Sequence, residues 1–156
     1  MTNHSSTRVP VDDSYVALVG KAVYVFAYYE WAIIYAIEHL KNGFVSKYCR
    51  AKSMTSGQVK REFQEAINNL PVSSEEVSKA ELQACCTEFE RLIVKRNSLI
   101  HAHPITDLDG SQILAYQTEI TKPLPDMKWP KTEIEVIIHE FDAAASSAGD
   151  LLYRLR

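Results

Sequence analysis

The sequence has little cysteine, little glycine and no excess of positive charge. Its three cysteines are Cys49, Cys85 and Cys86, so the number is odd, two are adjacent and no Cys-x-x-Cys motif occurs. Adjacent cysteines rarely form an unstrained disulfide, and this pattern therefore indicates a reducing cytoplasm. The glycines form no phosphate-binding loop, and no serine-hydrolase or cysteine-nucleophile signature is present.

The charge balance limits how this chain can meet nucleic acid. The formal net charge is −3 and the sequence pI is about 5.9, whereas indiscriminate binding to nucleic acid favours a basic chain. Any contact with RNA must therefore use a local basic patch. Residues 44–61 contain five basic residues and no acidic one, which predicts either such a patch or an ordinary solvated loop.

The length of 156 residues and the hydrophobic content of 46% suit one compact domain with a real core. Residues 1–10 are polar, lack the apolar run of a signal peptide and are predicted to be disordered. We expect a single helical domain over residues 11–156.

A long apolar helix is predicted from about Asp12, a capping residue, to about Lys41, before Asn42-Gly43. Lys21 and Glu30 interrupt its apolar run, so a buried helix is favoured over a membrane span. The helix is apolar on several sides, and we expect a second subunit to cover part of it.

Further along the chain, residues 44–58 are predicted to be a loop, and residues 59–70 a second helix. A third helix is predicted to open with a capping box at Ser73 and Glu76 and to end near the histidines that precede Pro104.

The last third of the chain predicts an extended insertion and a final helix. Residues 105–108 and 114–120 are expected to pair as a small hairpin around an Asp-Gly turn, followed by a rigid proline-bracketed linker over residues 123–130. The final helix is predicted to begin at Thr132 with a capping box to Glu135. The fold class expected is all-α: a bundle of four to five helices with a small β-hairpin or extended insertion before the last helix.

An arginine interrupts the apolar stripe of the third helix. Phe89, Ile93, Arg96, Ile100 and His103 follow spacings of four, three, four and three, so Arg96 occupies the core-facing arc. A guanidinium cannot shed its charge, and burying it unpaired is costly. Three possibilities stay open: its stem reaches the surface, it pairs with a buried carboxylate such as Glu30, or it lines a cleft for an anionic ligand.

The end of the same helix carries Asn97 and His101, one turn apart on a neighbouring face. In an unbroken helix His101 points away from Arg96, so the two can converge only where the helix unwinds near Leu99 or across a subunit interface. The helix terminus favours a protonated histidine, which suits an acid–base group facing a phosphate. The alternative is that His101 and His103 are capping residues. No further zinc ligands with suitable spacing accompany them.

The stretch Arg96-Asn97-Ser98-Leu99-Ile100-His101 matches Arg-x4-His with a polar residue directly after the arginine, late in a long amphipathic helix. It resembles the HEPN domain family, in the branch with the R-x4-6-H ribonuclease motif. The specific match covers about ten residues. The architectural match covers most of the chain.

This resemblance implies a metal-independent endoribonuclease of the toxin–antitoxin or anti-phage type, without a cofactor, acting on RNA as a homodimer and held in check by an antitoxin protein. It implies that His101 assists proton transfer at the ribose 2′-OH, that Arg96 stabilises the phosphate charge, and that Asn97 orients the phosphate or the histidine. The residues expected to contact substrate are Lys95, Arg91, His103 and Glu30.

One position departs from a subgroup of this family, which carries a modified tyrosine two residues after the histidine. His103 stands there in this chain, which puts control by tyrosine modification in doubt.

Two other hypotheses remain. One is a non-catalytic HEPN-like module that binds nucleotide or RNA or regulates a partner, and the other is a purely structural helical interaction protein. Catalysis requires Arg96 and His101 to be accessible and to converge, whereas a structural role puts Arg96 in a closed salt bridge.

Overall fold

The computed structural model describes residues 7–71 and 77–156, and these ranges are mostly helical. The elements are α1 (Asp13–Leu40), α2 (Phe44–Arg50), α3 (Ser56–Asn68), α4 (Lys79–Ile100), β1 (His103–Thr106), β2 (Gln112–Tyr116), β3 (Met127–Trp129) and α5 (Lys131–Leu155). Buried side chains from all five helices and from β2 and β3 form one core cluster. The predicted helical bundle with an extended insertion before its last helix is confirmed. The predicted disorder of residues 1–10 falls partly on residues 1–6, which lie outside the described residues.

The two longest helices, α1 and α5, form the centre of the bundle. The Asp12 carboxylate caps α1 by accepting a 3.1 Å hydrogen bond from the Ser14 N–H, and its other oxygen lies 2.7 Å from Lys131 Nζ at the start of α5. Their starts are therefore adjacent, and the two helices run parallel. An ion pair of 2.9 Å between Arg154 and Glu81 joins the end of α5 to the start of α4, so α4 runs antiparallel to α5.

The prediction of a loop over residues 44–58 is wrong, because residues 44–50 form α2 and α3 already begins at Ser56. The Glu38 carboxylate accepts hydrogen bonds from the backbone N–H groups of Gly43 and Val45, at 3.1 and 2.9 Å, and so caps α2 from outside. Gly43 has φ 92°, a value that favours glycine, and Phe44 is fully buried. The cap comes from the last turn of α1 and the anchor from burial in the core, and neither is visible in the residue pattern of α2 itself.

The starts of α3 and α4 carry true capping boxes. Thr55 and Gln58 form one, and Ser78 and Glu81 form the other. The predicted box at residues 73 and 76 lies outside the described residues. The predicted box from Thr132 to Glu135 is wrong: α5 begins one residue earlier, its N-cap is Pro130, and no side chain caps it. Thr132 therefore lies inside the first turn of α5.

The insertion between α4 and α5 is a three-stranded antiparallel sheet in the order β1-β2-β3. The predicted hairpin is confirmed by the pairing of Ile105 with Ile113, and Gly110 in its turn has φ 85°. The proline-bracketed segment was predicted to be only a linker, but β3 within it pairs with β2 through Leu114 and Trp129. Trp129 is buried, and its indole N–H donates to the Ser98 carbonyl at 3.1 Å, which ties the sheet to the end of α4.

One face of α1 is exposed and mostly apolar, with Lys21 as an exposed charge within it. Its uncharged members are Val16, Ala17, Gly20, Val23, Tyr24, Ala27, Tyr28, Trp31 and Tyr35, of which only Trp31 is partly buried. Among the described helices, α1 alone is long and apolar enough to cross a membrane by length and composition, and 33% of the tested window is buried. The opposite face of α1 packs in the core.

Candidate functional site

Arg96 lies where three helices meet, and a serine bridges it to a glutamate. Its Nη2 atom donates a short hydrogen bond to Ser56 Oγ at the first turn of α3, and Ser56 Oγ donates another to Glu30 Oε2 on α1. A hydroxyl can accept from one partner while it donates to another. Ser56 is 6% exposed, so this chain of bonds runs through a buried link.

The guanidinium also contacts the aromatic core. The Cζ atom of Arg96 lies 4.9 Å from the ring centroid of Phe26, within the range of a cation–π contact. Its Nε atom is buried and has no hydrogen-bond partner among the described residues. Across residues 7–71 and 77–156, no ion pair within 4.0 Å joins Arg96 directly to Glu30. Glu30, the carboxylate that the sequence offered as a partner of Arg96, is thus linked to the guanidinium through the Ser56 hydroxyl and not by a direct ion pair.

Aromatic side chains of α1 and α2 border the carboxylate. Tyr48 packs edge-on against Trp31 with ring centroids 5.3 Å apart, and Trp31 packs on Tyr35 at 5.6 Å. Burial raises the pKa of Tyr48, the charge of Glu30 raises it further, and Arg96 acts in the opposite direction. Tyr48 thus remains a neutral phenol near the Glu30 and Arg96 charges.

The histidines lie at the other end of the motif. His101 is the C-cap of α4, its side chain is exposed, and its backbone N–H donates to the Asn97 carbonyl at 2.9 Å. This bond keeps the helix wound past Leu99. Five residues along a regular helix turn the side-chain direction by about 140°, so Arg96 and His101 of one chain point to different sides. His103, the first residue of β1, is exposed as well.

The other expected contact residues divide between two surfaces. Asn97 and Lys95 are half-buried beside Arg96 on α4. Arg91 instead lies 2.8 Å from Glu88 and 2.9 Å from Glu140 on α5, and these carboxylates raise its pKa. Arg91 therefore belongs to the contact between α4 and α5 and not to the neighbourhood of Arg96.

The basic stretch of residues 44–61 is partly neutralised by neighbouring carboxylates. Glu62 pairs with Lys47 and, at 3.1 Å, with Lys41, and these contacts lower its pKa. Lys60 lies 3.2 Å from Glu90. Lys52 and Arg61 are exposed beside one concave surface between α2 and α3. The patch keeps a smaller positive charge than the sequence count indicates.

No group of three or more histidine, cysteine, aspartate or glutamate side chains that could hold a metal ion occurs in the described part of the chain.

The sequence analysis did not identify Ser56 as a site residue, because it predicted a loop at this position. The Thr55-x-x-Gln58 spacing was the available signal, since a capping box there starts a helix with Ser56 in its first turn.

Comparisons with protein-family models, with curated proteins and with solved structures find no match.

Proposed function

We propose that this protein is a metal-independent endoribonuclease of the HEPN type, in which Arg96 and His101 act together across a homodimer. The observation that carries the proposal is the state of Arg96. Its permanent charge lies in a half-buried position, a neutral hydroxyl holds one of its nitrogens, and no carboxylate among the described residues pairs with it directly. Such a cation keeps much of its attraction for a phosphate.

The proposed reaction is transesterification within RNA. His101 takes the proton of a ribose 2′-OH, the 2′-oxygen bonds to the adjacent phosphorus, and the bond from phosphorus to the 5′-oxygen breaks. The leaving oxygen takes up a proton, and the product ends in a 2′,3′-cyclic phosphate. Arg96 stabilises the additional negative charge on the phosphate oxygens, and Asn97 orients the phosphate or His101.

The proposed dimer uses the mostly apolar exposed face of α1. Small residues, Ala17 and Gly20, occupy its N-terminal half, and large aromatic ones, Trp31 and Tyr35, occupy its C-terminal half. Two copies that pack antiparallel would place the small residues of each against the aromatic residues of the other. A symmetric interface of this kind is self-complementary, as a two-fold axis requires.

The same packing favours a shared cleft. In an antiparallel pair of helices related by a two-fold axis, each lateral edge faces the same edge of the other copy. Glu30 lies at one edge of the α1 face and is linked to Arg96 through Ser56. The two Arg96 sites would therefore open toward one side of the dimer, where His101 of one copy could approach Arg96 of the other.

An RNA substrate and an antitoxin protein as regulator are part of this proposal and rest on the motif resemblance, and a cytoplasmic location is part of it and rests on the cysteine pattern. The second candidate is a non-catalytic HEPN-like module that binds nucleotide or RNA. It is favoured by the bridge from Arg96 to Glu30, because a guanidinium already held in a network can have a structural role.

RNA cleavage by the purified protein in excess EDTA tests the proposal. We expect cleavage to continue in EDTA, to leave cyclic phosphate ends, and to fall at least about 100-fold in Arg96→Ala and in His101→Ala. His139→Ala, an exposed histidine on α5, is the matched control and should cleave like the parent. Circular dichroism should show each variant folded. Absence of cleavage by the folded parent on structured and unstructured RNAs would favour the binding module.

A further inference from the structure

A groove of about 540 Å³ lies between α4 and α5, away from Arg96. Small side chains from both helices line its walls, and Tyr29 of α1 closes its floor. The walls include Ala84, Cys85, Ala143, Ala144, Ser147 and Leu151. Volumes of roughly 300–1,000 Å³ with mostly apolar walls are typical of small-molecule sites.

The floor of the groove carries a polar group without a partner. Tyr29 is 1% exposed, and its ring packs edge-on against Phe26 and Phe89 with centroids 5.9 and 5.4 Å away. No hydrogen bond joins its hydroxyl to any of the residues the structure describes, and Arg96 Nε is the one fully buried side-chain nitrogen or oxygen there without a partner, so the Tyr29 oxygen is not sealed in the core but reaches the groove. A ligand that supplied an acceptor there would satisfy it.

The electrostatic surroundings define the kind of acceptor. Burial raises the pKa of Tyr29, and neighbouring Cys85 and Glu88 raise it further, so the phenol stays protonated and donates. The pKa of the Cys85 thiol is raised to about 12, chiefly by burial, so this thiol stays neutral as well. Neither group offers a charge to a ligand.

The ends of the groove are closed by ion pairs. Glu88, Arg91 and Glu140 form one end, and Glu81 with Arg154 forms the other. Each guanidinium is thus already held by a carboxylate, and carboxylates outnumber guanidinium groups among the groove residues. An anionic ligand would be repelled by the excess carboxylate, since both guanidinium groups among the described lining residues are already paired.

We propose that this groove binds a neutral, mostly apolar small molecule that presents a carbonyl oxygen to the Tyr29 hydroxyl. The apolar walls supply affinity by desolvation, and the Tyr29 hydroxyl at the floor fixes the orientation of the carbonyl. This site is independent of the proposed nuclease chemistry, because none of its residues contacts Arg96 or His101. Arg91, which the resemblance places among the residues expected to contact substrate, lies at one end of this groove.

Fluorescence titration of the full chain with Nile red, a neutral aromatic probe with a carbonyl oxygen, tests the proposal. Saturable binding is expected, and Tyr29→Phe should raise the Kd about 3- to 10-fold, as the loss of one neutral hydrogen bond would. Ser147→Trp, which fills the groove from an exposed position, should abolish binding. Tyr28→Phe and Glu135→Trp alter exposed positions outside the groove and should leave the Kd unchanged.

The exposed face of α1 is the competing site for an apolar probe. Tyr24→Ser distinguishes the two, because it alters that face and not the groove. Binding that is lost in Tyr24→Ser but unchanged in Ser147→Trp would overturn the proposal, as would the absence of binding to the parent protein.

Discussion

The hydroxyl of Tyr15, near the start of α1, donates a hydrogen bond to the backbone carbonyl of Trp129 at the end of β3. The same oxygen accepts from the N–H of Leu114 on β2, at 2.9 Å, and Leu114 and Trp129 are paired across the two strands. One phenol on the first helix thereby holds β2 and β3 of the insertion, and Trp129 in turn contacts the end of α4 that carries His101.

Tyr15→Phe should destabilise the fold by about 1–3 kcal/mol, because the ring stays packed while the buried Trp129 carbonyl and the partly buried Leu114 N–H lose their partner. Urea denaturation measures this as a lower midpoint at an unchanged m-value. Tyr28→Phe, at a position 68% exposed, is the control and should change stability by less than about 0.5 kcal/mol. Equal effects of the two substitutions would contradict the role of Tyr15.

Ser56→Ala should destabilise the protein by about 1–3 kcal/mol, because it removes the hydroxyl that links a half-buried arginine to a carboxylate. Ser53→Ala, in the exposed loop before α3, should have little effect. In a double-mutant cycle, Glu30→Gln should cost less in the Ser56→Ala background than in the parent. Additive free energies of unfolding would show that the bridge does not couple the two residues.

Stability should fall in acid between about pH 4 and pH 2. The pKa of Asp12 is lowered from 3.8 to about 2 by hydrogen bonds from Lys131 and then Ser14, and that of Asp126 is lowered to about 2 by Lys122 and then Thr118. A carboxyl whose folded pKa is depressed stabilises the fold above its unfolded pKa, and this stabilisation is lost as pH falls through the folded value. Asp12→Asn combined with Asp126→Asn should flatten this part of the stability profile, and an unchanged slope would contradict it.

The dimer interface should be sensitive to charge on the exposed face of α1. A Cβ added at Gly20 meets nothing within 4 Å, so Gly20→Arg fits the monomer. In the proposed dimer it would place an unpaired charge against apolar side chains and should weaken association at least about 10-fold by sedimentation equilibrium. Val94→Arg, exposed on α4, is the control, and a parent protein that stays monomeric at high concentration would rule out this interface.

The sequence predicted α1, the hairpin, the end of α4 and the unusual position of Arg96, because apolar periodicity and caps are local signals. It did not predict α2, whose cap comes from Glu38 and whose anchor is the buried Phe44. The sequence also did not predict β3, because a strand of only three residues is too short to show the alternation of apolar and polar side chains that indicates a strand. The Thr55-x-x-Gln58 spacing could have placed Ser56 in the first turn of a helix, but its bridging role could not be predicted, because that role exists only where α1, α3 and α4 meet.

Mixing Arg96→Ala with His101→Ala tests whether the two residues act across subunits. Neither variant should cleave RNA alone. After co-refolding, cleavage should return to about a quarter of the parent rate, because half of randomly paired dimers are mixed and each has one of two composite sites intact. Mixed dimers that form but remain inactive would contradict a site shared between subunits.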